Sequence, residues 1–265
     1  MRRTPSRLSS VKISHMSKRK DAWNTKKNAA GYDAYASKFS LYKETSRDLV
    51  EIANITSGMT VVDLAAGTGV TTEAVLEQTD NDVTVIAVDQ AEEMLKKARE
   101  RHSDKGNVTY VVAQAESLEK SISDKVDAVV CNSAFWQMVP KPTLQAVSRI
   151  LKDDGIFAFN LPDSFFAYKE FKNEPRKSVS YSYDDLKSWG EELSMKIESC
   201  VVKEYESNAR EVVAFNEIPV MQRNFPSEEA KEEFINDTLS KDETRKKDFL
   251  EIKRLWKTIL NHRNA

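Results

Sequence analysis

Apolar and polar positions change period repeatedly along this chain, and each change marks an element. From Trp23 onward, Tyr32, Tyr35, Phe39 and Tyr42 recur at helical spacing with Ala29, Ala30, Ala34 and Ala36 between them. Leu49, Ile52 and Ala53 continue a helix, which Ser57-Gly58 ends. Residues 59–64 form a short apolar run, then Gly67 and Gly69 interrupt it, and residues 71–76 resume a helical pattern. Residues 83–88 are mostly β-branched and apolar, the composition of a strand buried on both faces. A helix over 91–101, with Met94, Leu95 and Ala98 on one face, leads to a third strand at 108–113. Residues 126–131 and 155–161 read as fourth and fifth strands, with a helix at 143–151 between them. This βα repeat predicts a parallel sheet covered by helices on both faces, with right-handed crossovers.

After Pro162 the regularity breaks. Residues 165–171 are aromatic-rich with lysines, and 173–180 are polar and read as a loop. A helix is expected at 183–193. Residues 197–205 and 211–215 alternate well enough for two strands, an antiparallel hairpin on the sheet edge. Residues 228–239 and 244–260 read as two charged amphipathic helices, the second with Phe249, Ile252, Leu255, Trp256 and Ile259 on one face.

Composition narrows the setting. No apolar run approaches the roughly 18 residues of a membrane helix. Two cysteines, Cys131 and Cys200, make no disulfide framework, so a cytoplasmic, reducing environment is expected. The net charge of −2 hides an asymmetry: residues 1–20 carry seven basic side chains and no acidic one, leaving −9 on the remainder. An acidic body is a poor electrostatic match for nucleic acid and favours a small-molecule acceptor. Residues 1–22 read as a disordered basic tail or tag, with an organelle transit peptide or a docking arm as alternatives. Residues 23–265 read as a single domain, with a ligand-binding core over 29–161 and a substrate or cap region over 162–265.

The chemistry gathers at the first glycine turn. Positive φ and close passage of backbone past a ligand both favour glycine, and the helix that follows points free N–H groups at the turn. A dinucleotide fold wants G-x-G-x-x-G, but the third position here is Thr72. No Gly-Lys-Ser/Thr follows, which excludes a P-loop. Asp63 stands just before the turn, where a carboxylate suits an ammonium group better than a pyrophosphate.

The run Asp63-Leu64-Ala65-Ala66-Gly67-Thr68-Gly69 resembles motif I of class I S-adenosylmethionine-dependent methyltransferases, D/E-x-G-x-G-x-G, departing from it at Ala65. Asp89, at the end of the second strand, is similar to the acid that binds the ribose hydroxyls in that family, and Gln90 and Met94 follow where the family flanks the adenine. Gln114, Ala115 and Glu116 are similar to the G-D-A-x-x-L stretch that addresses the adenine edge, with Gln114 in place of the usual aspartate. Cys131 and Asn132 fall where the family lines the methionine part. Gly31-Tyr32-Asp33-Ala34-Tyr35-Ala36 resembles the Y-D-x-x-A stretch of many small-molecule methyltransferases, in which an aromatic hydroxyl reaches the cofactor. The resemblance implies a Rossmann-like α/β fold, with a mostly parallel seven-stranded sheet, flanking helices and helical cap elements. It implies S-adenosylmethionine as cofactor, bound by Tyr32, Asp63, Ala65, Ala66, Gly67, Gly69, Asp89, Gln90, Met94, Gln114, Ala115, Glu116, Cys131 and Asn132.

The implied reaction is methyl transfer to an oxygen or nitrogen of a small molecule, as in specialised metabolism. Methylation of protein or RNA, and a SAM-binding partner protein without catalysis, are the alternatives. Phe135, Trp136 and Phe165, following the fourth and fifth strands, are expected to wall the acceptor pocket. No histidine stands where a base is expected: His15 is in the tail, His262 is near the C-terminus, and His102 is expected exposed on the rim opposite the ligand. Asp163, Tyr168, Glu204, Arg210 and Glu217 remain as candidate bases, with no catalytic residue assigned, and no metal-ligand cluster is expected.

Overall fold

The computed structural model describes residues 21–162, 181, 183–244 and 252–263. A short 3-10 turn at Asp21–Trp23 precedes helix α1 (Lys26–Lys38), capped by Thr25, whose side chain accepts the Asn28 N–H. Helix α2 (Leu41–Ile52) follows after a break at Phe39-Ser40, so the aromatic stripe lies on two helices rather than one. Then come β1 (Thr60–Leu64), α3 (Val70–Gln78), β2 (Thr84–Asp89), α4 (Glu92–Arg101), β3 (Val108–Val112), β4 (Val126–Cys131), α5 (Pro140–Ile150) and β5 (Leu151–Pro162). The cap-side elements are α6 (Tyr183–Glu192), β6 (Met195–Ser207), α7 (Ala209–Glu217), α8 (Glu228–Thr244) and β7 (Ile252–Arg263). The expected segments 1–20 and 163–180, Phe165 among them, lie outside the described residues.

The sheet runs β3-β2-β1-β4-β5-β7-β6. Strands β1 to β5 are mutually parallel, and β7 pairs antiparallel with both β5 and β6. Period-two alternation sends each strand's side chains to opposite faces. On β5, Phe157 and Phe159 enter one core with Leu144, Val147 and Ile150 of α5, while Ala158 enters the other with Leu49, Val50, Val75 and Leu95 of α2, α3 and α4. Because both faces are covered, β1, β2 and β4 are apolar almost without interruption.

Two expectations fail in the cap region. Residues 211–215 are helical, not a strand: Asn208 caps α7 by accepting the Glu211 N–H at 3.0 Å, and this local signal outweighs the β-branched Val212-Val213 pair. The expected helix at 244–260 is replaced over Ile252–Arg263 by strand β7. Its apolar positions, 252, 255, 256, 259 and 260, keep the helical period, and backbone pairing on both sides overrides that pattern in favour of the strand. The partner of β6 is therefore β7.

Candidate active site

Register aligns the carboxyl ends of the inner strands. Asp63 stands beside Ala87 and Val130, Asp89 beside Val112, and Cys131 beside Phe159. The strand order reverses at β1, and open α/β sheets bind ligands outside such a switch point.

The turn between β1 and α3 has three residues at positive φ: Ala65 at 59°, Gly67 at 55° and Gly69 at 86°. Ala65 thus adopts the left-handed backbone that the motif's glycine would hold, at a cost of about 1–2 kcal/mol for a residue with a Cβ. A Cβ on Gly67 would meet nothing nearer than Tyr32 Cε1 at 3.8 Å, so a cleft bounded by this ring opens above the turn. A Cβ on Gly69 would meet His102 Nε2 at 2.8 Å and the Ala98 Cβ at 3.2 Å, so α4 closes the turn from behind.

Two carboxylates flank the turn. Asp63 is buried and accepts the Thr72 hydroxyl at 2.7 Å, and burial raises its pKa from 3.8 to about 7. Thr72, where a dinucleotide turn would carry its third glycine, is therefore the partner that holds Asp63. Asp89 accepts the Gly67 N–H at 2.9 Å through one oxygen and the Ala91 N–H at 2.8 Å through the other. Burial raises its pKa too, against the pull of these amide bonds. Tyr32, on α1, lies over the turn with its ring edge-on to Trp23 at 5.7 Å and tilted to Tyr42 at 5.6 Å. Its phenol is pushed well above the usual range by burial, then by Tyr42 and Asp89, so it keeps its proton. Thr68 Oγ1 is buried without a hydrogen-bond partner among the described residues. A deep carboxylate, a second carboxylate at the next strand end, an orphaned hydroxyl and an open cradle over Gly67 fit a ligand bearing an ammonium group and a ribose diol. They do not fit a pyrophosphate, whose charge would face both acids.

The remaining residues divide. Met94 is buried with Ala29 and Ala91, and Tyr32 and Trp23 pack on this cluster. Gln90 is half-buried, Gln114 is exposed beyond β3, and Ala115 is half-buried. Glu116 accepts the Val139 N–H at 3.0 Å and so anchors the start of α5. Ala66 donates its N–H to the Val88 carbonyl at 2.9 Å, which ties the turn to β2. Cys131 is fully buried, and burial raises its thiol pKa far above the usual value, so it is neither nucleophile nor base. Asn132 donates to Ser46 Oγ at 2.8 Å, tying β4 to α2, and Ser46 is in turn 2.9 Å from Thr71 Oγ1. Ser133, at φ 55°, gives its N–H to Asn160 Oδ1 at 2.7 Å and its carbonyl accepts the Trp136 indole N–H at 2.9 Å.

Two expectations about side chains are corrected. Phe135 does not wall a pocket: it is fully buried, 4.2 Å from Phe159 and 5.7 Å from Phe157 between ring centroids. Trp136, its neighbour, stays half-buried. His102 is not exposed on the far rim. It is 5% exposed, with Nε2 2.9 Å from the Gly69 carbonyl, and desolvation lowers its pKa. Sequence reasoning also missed Arg101, whose guanidinium touches α1, the turn and α3. The sign of it in the chain is slight: a basic residue closing a helix, which reads as an ordinary response to the helix dipole. Glu204, Arg210 and Glu217 are exposed, and Asp163 and Tyr168 lie outside the described residues.

A mostly parallel sheet with a glycine turn and two acids at its switch point defines an S-adenosylmethionine-dependent methyltransferase rather than a dinucleotide enzyme. The comparisons with known proteins agree. A family model described as a methyltransferase domain matches residues 55–252, and the chain belongs to that family. It is 28% identical over 180 residues, 64% of this chain and 68% of the relative, to the ubiquinone/menaquinone biosynthesis C-methyltransferase UbiE of Shewanella sp. (strain W3-18-1). It is 31% identical over 143 residues, 51% of this chain and 57% of the relative, to the protein of the same name from Shewanella frigidimarina. Among solved structures, a provisionally assigned methyltransferase from Bacillus halodurans superposes with TM-score 0.59 at 20% identity, covering 83% of this chain and 99% of that one. Haemonchus contortus phosphoethanolamine N-methyltransferase 2 in complex with S-adenosyl-L-methionine superposes with TM-score 0.52 at 15% identity, covering 84% and 53%. No helix among the described residues is long and apolar enough to cross a membrane.

Proposed function

We propose that this enzyme methylates a small-molecule acceptor whose nucleophile forms without a base from the described residues. The observation that carries the reading is the make-up of the rim at the ends of β4 and β5. Among the described residues it offers an amide, a hydroxyl and an indole (Asn132, Ser133 and Trp136), with Asn160 and Cys131 buried beneath them. Bound S-adenosylmethionine supplies a methyl group already activated by its sulfonium. The protein's part is to bind, orient and exclude water. Asp89 receives the ribose diol, and Asp63 takes the ammonium group. Gln90, Met94, Gln114, Ala115 and Glu116 surround the adenine, and the backbone of Ala65, Ala66, Gly67, Gly69, Cys131 and Asn132 lines the methionine part. Tyr32 covers the turn and donates its hydroxyl hydrogen, since its raised pKa bars it from acting as a base. Trp136 forms one wall for the acceptor.

A neutral amine, or a carbon made nucleophilic by its own ionised oxygen, meets the requirement. An unactivated hydroxyl does not. The 28% identity to a C-methyltransferase of quinone biosynthesis supports the carbon acceptor as the more specific choice. A screen for transfer of tritiated methyl to amines, phenols and hydroquinones tests this. Small-molecule labelling whose rate rises with the acceptor's own ionisation supports the proposal. Labelling of protein or RNA alone, or of simple alcohols, refutes it.

A further inference from the structure

We propose that Arg101 is a positioning residue for the methyl donor, a clasp that joins the cover of the site to its floor. This rests on the reading that Tyr32 and the glycine turn enclose S-adenosylmethionine.

Arg101 is the last residue of α4 and touches neither Asp63 nor Asp89. Its guanidinium reaches three separate segments. Nε donates to the carbonyl oxygen of Thr68, inside the turn, at 2.9 Å. Nη2 donates to Asp33 Oδ1 at 2.6 Å and to Ser37 Oγ at 3.4 Å, both on α1. Nη1 donates to Glu73 Oε2 on α3 at 3.3 Å. The side chain is only 17% exposed, so these charge-assisted bonds act with water largely excluded. A planar fork with several donors spans four acceptors on three segments at fixed angles, which a lysine ammonium cannot reproduce.

The placement of these acceptors gives the contact its meaning. Asp33 follows Tyr32 directly on α1, so the bond at 2.6 Å fixes the turn of helix that carries the covering ring. Thr68 lies between Gly67, above which the cleft opens, and Gly69, whose carbonyl meets His102. Arg101 and His102 thus hold adjacent carbonyls of the turn while Arg101 alone also holds α1. With the clasp in place, α1 and the turn move as one body. Without it, α1 keeps its aromatic packing on Tyr42 and Phe215 but loses its polar tie to the turn.

The test is S-adenosylhomocysteine binding by calorimetry, with hydrogen exchange of α1 amides read in parallel. Arg101→Gln and Asp33→Asn each weaken affinity on the order of tenfold, and the double variant is no weaker than either alone, the pattern expected of partners in one contact. Arg101→Lys restores less than half of the loss in logarithmic terms. Exchange in α1 quickens in all of these variants, and bound ligand no longer slows it to the wild-type rate. Arg99→Gln, which removes a neighbouring cation of α4 paired with Glu92, stays within twofold of wild type. Affinity within twofold in Arg101→Gln, additive losses in the double variant, or an equal loss in Arg99→Gln would each overturn the clasp. Asp89→Ala separates the two levels. If it abolishes binding while Arg101→Gln does not weaken it, the clasp alone fails. If Asp89→Ala also leaves binding unchanged, the placement of the donor fails with it.

Discussion

Replacing Gly69 with alanine asks two things of the turn at once. The backbone at φ 86° must accept a Cβ, and that Cβ must find room where His102 Nε2 stands 2.8 Å away and the Ala98 Cβ 3.2 Å away. The left-handed conformation costs about 1–2 kcal/mol. Forcing an extra carbon into a packed contact adds about 1–3 kcal/mol. Stiffening of the unfolded chain returns about 0.4–1 kcal/mol. The net destabilisation is about 2–4 kcal/mol, which for a domain of this size lowers Tm by roughly 5–15 °C. Urea denaturation of Gly69→Ala, His102→Ala and the double variant separates the two causes. Removing the imidazole relieves the clash but leaves the backbone strain, so the cycle shows a coupling of about 1–2 kcal/mol in the rescuing direction. A Gly69→Ala protein as stable as wild type, or one whose loss is unchanged by His102→Ala, would refute the argument that the helix closes the turn from behind.

Gly67→Ala offers the contrast. Its Cβ meets no atom nearer than 3.8 Å, so stability falls by only about 1 kcal/mol from backbone strain, while calorimetry shows S-adenosylhomocysteine affinity lost because the methyl enters the cleft. Ala65→Gly relieves the strained residue and leaves Tm unchanged or slightly higher, since relief of about 1–2 kcal/mol is offset by the looser unfolded chain. Asp63 holds its proton up to about pH 7 when folded and releases it near pH 4 when unfolded. The folded state therefore binds the extra proton between these values, and stability falls as pH rises from about 4 to about 7 by up to a few kcal/mol. Asp63→Asn flattens that slope in urea melts at pH 5 and pH 8. With the donor's ammonium group on Asp63 as proposed, the carboxylate is favoured, so wild-type binding releases protons near pH 6, measurable by calorimetry in buffers of differing ionisation heat.

The inner strands were readable from sequence because burial leaves a run such as residues 83–88 apolar apart from Thr84, and the glycines marked the turn between β1 and α3. Asp63 stood out because an acid near the end of an apolar strand costs free energy unless something requires it, while Asp89 was singled out by its resemblance to the family's ribose-binding acid. Phe135 was misjudged because position after a strand says nothing about which way a ring turns, and here it stacks on Phe157 and Phe159. His102 and Arg101 lie more than 30 residues from the carbonyls they bond, and no local period encodes such a contact. The cap was least legible. The apolar positions of Ile252–Arg263 follow a helical period, and only pairing with β5 and β6 on either side makes the segment a strand.

That last strand makes the sheet's completion a matter of timing. Strand β5 ends at Pro162, and the strand that pairs with its open edge starts at Ile252, about 90 residues later. At ordinary rates of synthesis the ribosome needs roughly 5 to 20 s to supply that stretch. Throughout this interval β5 offers an unpaired edge to any strand nearby, and β6, already made, cannot take its final place because β7 must lie between them. The nucleotide-type half can assemble early, but the sheet closes only when its seventh strand slips between two that are waiting. Nascent chains that end between β6 and β7 thus carry an unpaired β5 edge, the kind of edge that invites edge-to-edge pairing.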